Sequence, residues 1–155
     1  MHGHMSEADF LQHIAGFLGL YYLALAIMNG CAALYLWRQG HSVTVGRLGK
    51  YPITTPIIWA SVAILFLVMA AVGSSGSKQL MSLVSLPASI REGFDAIMGP
   101  VVYSIGSLVI LTGLYLGRNF FSKPWVAWTG LNATLLLMGM SMTDPDFAAV
   151  VTKPT

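Results

Sequence analysis

Four long apolar stretches, at about residues 11–37, 57–72, 100–116 and 125–142, alternate with polar segments, and none of the four contains Asp, Glu, Lys or Arg. A run of about 20 apolar residues crosses the hydrocarbon core as a helix. The pattern therefore predicts an all-α integral membrane protein with four transmembrane helices in one domain, residues 1–155. The charges of the polar segments set the direction. Acids occur at Glu7 and Asp9, at Glu92 and Asp95, and at Asp144 and Asp146. The two segments between these groups carry only basic charge, Arg38, Arg47 and Lys50 in one, Arg118 and Lys123 in the other. Basic loops stay on the cytoplasmic side. Both termini are accordingly expected outside, on the periplasmic side of a prokaryotic cytoplasmic membrane.

The first stretch exceeds the length that a crossing needs, so tilt or a protruding turn is expected. Acids precede it where a secretory signal would carry basic charge, which predicts a retained helix. Ser6, three residues before Asp9, is a candidate cap for its start. Gly40, Gly46, Gly49 and Pro52 mark residues 38–56 as a loop, with Trp37 and Trp59 as interfacial anchors beside it. Trp125 and Trp128 mark the same interface at the fourth stretch. Residues 80–98 are too polar to cross. There Leu83, Leu86, Ile90, Phe94 and Ile97 recur at helical spacing, which predicts an amphipathic segment on the outer surface or against a partner subunit.

Composition agrees. With 55% hydrophobic and 9% charged residues, the chain has too little polar surface to cover a water-soluble globule of its length. The net charge of +2 comes from sided loops and not from a basic face, so nucleic acid is not an expected partner. The lone cysteine, Cys31, has no intrachain disulfide partner and reads as a small packing residue.

Pumps, proton relays and voltage sensors need ionisable groups at membrane depth. The apolar stretches supply none. Histidine is the remaining ligand type: His13 lies near the outer start of the first stretch and His41 in the first basic loop, so the two cannot clamp one haem within one chain. His13 reads either as a polar interfacial residue or as a ligand, binding haem b with a partner's histidine or hydrogen-bonding a quinone head group. The peptide His2-Gly3-His4-Met5 resembles a soft-metal site, or is a terminus indifferent to metal. Met138, Met140 and Met142 are adaptable packing residues or a source of an axial thioether for haem.

Asn29 and Asn132 are the most polar groups deep in the stretches. A hydrogen bond between them across the first and fourth helices would contribute about 1 kcal/mol. Gly99, Gly106 and Gly113 repeat every seven residues, and Gly117 completes a Gly-xxx-Gly pair with Gly113. Such a groove lets a second helix approach closely. The sequence has no CxxCH haem attachment motif, no phosphate-cradling glycine loop and no nucleophile with an evident base. Catalysis by this chain alone is therefore not expected. A binding or assembly role is.

The tail TDPDFAAVVTKP, residues 143–154, resembles a stretch in membrane subunits of bacterial quinol:cytochrome c oxidoreductases of the cytochrome bc type. The resemblance implies a place in a respiratory or photosynthetic electron-transfer complex, beside cytochrome b or c and an iron–sulfur protein. The paired haem-ligating histidines and the Pro-Glu-Trp-Tyr-like quinol motif of that family do not occur here, so no catalytic residue carries over. The chain is then expected to scaffold redox partners that hold the haem and quinone. Two alternatives stand beside this: a subunit binding haem b or quinone directly through His13, and a freestanding small-molecule membrane carrier.

Overall fold

The computed structural model describes residues 7–97, 99–144 and 147. Ser6, the His2–Met5 peptide and most of the acidic tail lie outside the described residues, as do the side chains of Phe94 and Ile97. The chain is mostly helical and divides into two compact units, residues 1–84 with 142–155, and residues 85–141.

In the first unit, helix α1 (Glu7–Arg38) runs for 32 residues, about 48 Å at 1.5 Å per residue. Its C-terminus closes in a Schellman arrangement: Gly40, at φ +67°, donates to the Trp37 carbonyl at 3.2 Å, and His41 donates to the Leu36 carbonyl at 3.1 Å. Helix α2 (Thr55–Gly73) follows after a turn of strand and starts with Pro56 in its first turn, where the missing N–H is harmless. These two helices are long and apolar enough to cross a membrane. They pack against each other along their length.

The segment between them departs from the all-α expectation. Strands β1 (Thr44–Leu48) and β2 (Tyr51–Thr54) form an antiparallel hairpin, with Leu48 opposite Tyr51 and Arg47 opposite Pro52. Gly49, at φ +62°, opens the two-residue loop Gly49-Lys50, the glycine-first pattern of a type II′ turn. Pro52 is tolerated because a two-stranded ribbon leaves each strand an edge. The ribbon is fastened at its base: Thr55 N–H donates to the Val43 carbonyl at 3.0 Å, and Val43 N–H donates to Thr55 Oγ1 at 3.1 Å.

After α2, a short helix α3 (Lys78–Met81) and a 3-10 turn (Ser82–Val84) fold back on the ends of α1 and α2 and bury Met81 and Val84. Leu83, which the spacing placed on the apolar face, is 72% exposed. The 3-10 turn and Pro87 interrupt the helix, so the helical phase restarts.

The second unit contains α4 (Ala88–Ile97), α5 (Pro100–Leu116), α6 (Arg118–Phe121) and α7 (Pro124–Ser141). Helices thus occupy all four apolar stretches. At 17 and 18 residues, α5 and α7 span about 26 and 27 Å, the short end of the crossing range.

Candidate functional site

The buried face of α1 is a single stripe of Leu11, Ile14, Leu18, Tyr22, Leu25, Asn29 and Ala33, recurring every three or four residues. That is the seam of a helix pair. At one end of it the helices touch nearly backbone to backbone. A Cβ on Gly19 would lie 2.8 Å from Ser74 Cβ and 3.4 Å from Ser74 Cα, and one on Gly73 would lie 3.3 Å from Leu18 Cβ. Farther along, the fully buried Tyr22 ring stacks on Phe66 with centroids 6.3 Å apart. Its hydroxyl has no hydrogen-bond partner among the described residues. Asn29, two turns on, is fully buried and its Nδ2 donates to the Leu25 carbonyl at 2.9 Å.

At the hairpin end the two helices leave an open crevice of about 590 Å³. Ala33 and Leu34 of α1 line it with Ile57 and Ala60 of α2, and Ser42, just ahead of β1, and Thr54 of β2 complete it at the hairpin base. Trp37, mostly exposed, stands beside it. The crevice is therefore apolar between the helices and hydroxyl-bearing at the hairpin. Arg38, Arg47 and Lys50 surround this end of the unit in sequence, all exposed, and none pairs with a carboxylate among the described residues.

In the second unit, α5 is exposed along almost its whole length. A Cβ added at Gly99, Gly106 or Gly113 would meet nothing within 4 Å, so the proposed groove is open. Gly117 differs: its Cβ would strike the Phe121 ring at 2.7 Å, and it serves the tight passage from α5 into α6. Arg118 lies over Tyr115 and Lys123 over Phe120, with the cations 5.0 and 5.5 Å from the ring centroids. Phe120 in turn meets Trp125 edge to face. These contacts gather basic and aromatic groups in the short connection, where Arg and Trp suit a membrane interface. Among the described residues α5 and α7 share no packed interface.

His13 is exposed on α1, one turn from Gly16, whose added Cβ would also meet nothing within 4 Å. His41 is exposed at the hairpin base. Asn132 is buried and its Nδ2 donates to the Trp128 carbonyl of its own helix at 2.9 Å. Both asparagines thus spend a donor on the preceding turn, which relieves the cost of an amide in an apolar setting. Met138 is exposed while Met142 is buried. Cys31, expected to pack, lies on the exposed face of α1. No three His, Cys, Asp or Glu side chains come together among the described residues.

The residues missed by sequence reading are Gly19, Gly73 as a close contact, Phe66 and the crevice lining apart from Trp37. A glycine signal was present at the first two, but nothing in one sequence says which glycines face a neighbour. No family model, curated protein or solved structure matches the chain. Fold and site define a mostly helical protein with two helices fit to cross a bilayer and a basic hairpin between them.

Proposed function

We propose that this chain is a noncatalytic membrane subunit of a respiratory or photosynthetic electron-transfer complex, of the quinol:cytochrome c oxidoreductase kind, which scaffolds redox partners. The observation that carries the assembly role is how little α5 and α7 touch each other among the described residues. Lipid gives apolar helices no push toward one another, so a helix position is fixed only by close packing and hydrogen bonds. Two apolar helices joined by a short connection but without an extensive interface between them need partner helices. The open glycines of α5 offer the place for one. Identification of the partners as redox subunits rests on the resemblance of residues 143–154.

In this reading all four apolar helices cross the prokaryotic cytoplasmic membrane, with the hairpin and the Arg118–Phe121 helix inside and both termini on the periplasmic side. Cytochrome b or c and an iron–sulfur protein carry the haem and the electrons, and quinol is oxidised on the partners. A second reading is favoured by the exposed position of His13 beside open space at Gly16: His13 reaches a haem or quinone held by a neighbouring subunit.

Gly106→Leu and Gly113→Leu test the groove. Each is expected to lower recovery of partner subunits on this chain about tenfold, the effect of overfilling a close helix contact. Quantitative mass spectrometry of the detergent-extracted assembly reads the result. Unchanged recovery with both variants removes α5 as the docking helix.

A further inference from the structure

We propose that the crevice between the hairpin ends of α1 and α2 is a binding site for one anionic phospholipid. The proposal rests on the membrane placement of α1 and α2 and not on the electron-transfer assignment. The crevice has the polarity of such a molecule. Ala33 and Ala60 face it from opposite helices and keep it open, Leu34 and Ile57 make its walls apolar, and Ser42 and Thr54 put hydroxyls at the hairpin end. An acyl chain fits the first region and a glycerol-phosphate the second. At about 590 Å³ the space is within the range of ordinary ligand sites.

Charge selects the head group. Arg38 follows Trp37 directly, and Trp37 lines the crevice. Arg47 stands opposite Pro52, two residues of strand from Thr54, which is about 7 Å. Neither arginine is paired among the described residues, and the sequence has no acid from residue 10 to residue 91. Arg38 and Arg47 do not line the crevice, but they neighbour its lining residues in the helix and in the hairpin, and an arginine side chain reaching from there can hold a phosphodiester through two hydrogen bonds. A neutral quinone offers no anion, and a zwitterionic lipid brings a choline cation that repels the arginines and offsets its phosphate, so a lipid of net negative charge is preferred. The hairpin supplies what a loop cannot: hydrogen bonds at Val43 and Thr55 fix Arg47 relative to the crevice. Lys50 sits in the turn, four residues before Thr54, about 13 Å along an extended chain. It is too far to share the phosphate and serves as an internal control.

Native mass spectrometry of the full chain in detergent, titrated with phosphatidylglycerol or phosphatidylcholine, tests the site. One phosphatidylglycerol is expected to stay bound under conditions that strip phosphatidylcholine. Arg38→Gln and Arg47→Gln should each weaken retention about fivefold, the effect of one basic residue at an anionic surface. Lys50→Gln should change it less than twofold. Ala60→Phe fills the crevice and should abolish retention with every charge in place. Equal retention of the two lipids overturns the proposal, as does an Lys50→Gln effect equal to that of Arg47→Gln, which would mean diffuse attraction. The hairpin variants alter exposed side chains only, so the test stands even where Ala60→Phe fails to fold. Because no partner subunit enters the measurement, its failure leaves the scaffold reading untouched.

Discussion

Replacing Gly19 with leucine is expected to separate α1 from α2 and to lower stability by about 1–3 kcal/mol, the cost of overpacking a tight contact. The sign needs argument, because leucine is the better helix former by close to 1 kcal/mol. At Gly19 sterics win. The first added atom would lie 2.8 Å from Ser74 Cβ, 3.4 Å from Ser74 Cα and 3.5 Å from the Ala70 carbonyl oxygen. These are backbone atoms and a side-chain stem, with no flexible end to swing aside. Gly73 has the same role from the other helix, with Leu18 at 3.3 Å. Gly16 sits one turn away with nothing within 4 Å, so Gly16→Leu should be neutral or stabilising. Thermal unfolding of both variants in one detergent separates the effects. A Gly19→Leu protein as stable as Gly16→Leu would show that the helices do not meet there.

Phe66→Ala is expected to cost on the order of 2 kcal/mol, and Tyr22→Phe to gain about 1 kcal/mol. Phe66 is 2% exposed and lies against the Tyr22 ring. In a bilayer the transfer from water no longer counts, so the loss comes from contacts forfeited around the cavity. The tyrosine behaves in the opposite sense. Its hydroxyl is buried without a partner among the described residues, and removing an unsatisfied polar group while keeping the ring relieves a desolvation cost. Unfolding in mixed micelles, where the two variants are compared with the parent protein, measures both. Destabilisation by Tyr22→Phe would mean that the hydroxyl does have a hydrogen bond.

Helix positions were legible in the sequence because proline and glycine punctuate them. Pro56, Pro100 and Pro124 each stand in the first turn of a helix, and Gly40 ends α1. The hairpin was not legible. Gly46, Gly49 and Pro52 are loop residues by composition, and the alternation around them is spoiled by an irregular register between Thr44 and Gly46. The buried stripe of α1 was hidden for another reason. A helix apolar on every side has no amphipathic phase, so Leu18 and Leu20 look alike although one is fully buried and the other is 70% exposed. Glycine spacing is visible on α5, yet the close contact forms at Gly19 and Gly73, where spacing gives no cue. Across the segment 80–98 the apolar spacing implies a single helical phase. The chain breaks that phase at residues 82–87, and Met81 and Val84 take the buried places.

The role proposed for this chain is that of a scaffold within a redox assembly. Its most direct test is to draw the native complex from the membrane in mild detergent by a tag on this chain. Subunit composition by mass spectrometry and a reduced-minus-oxidised haem spectrum are then recorded on the same sample. A scaffold role predicts stoichiometric recovery of a cytochrome b or c, or an iron–sulfur protein, with a haem signal that survives His13→Ala. Loss of that signal from an intact assembly would assign the haem contact to His13. Recovery of the chain by itself, without haem or redox subunits, would contradict the scaffold account.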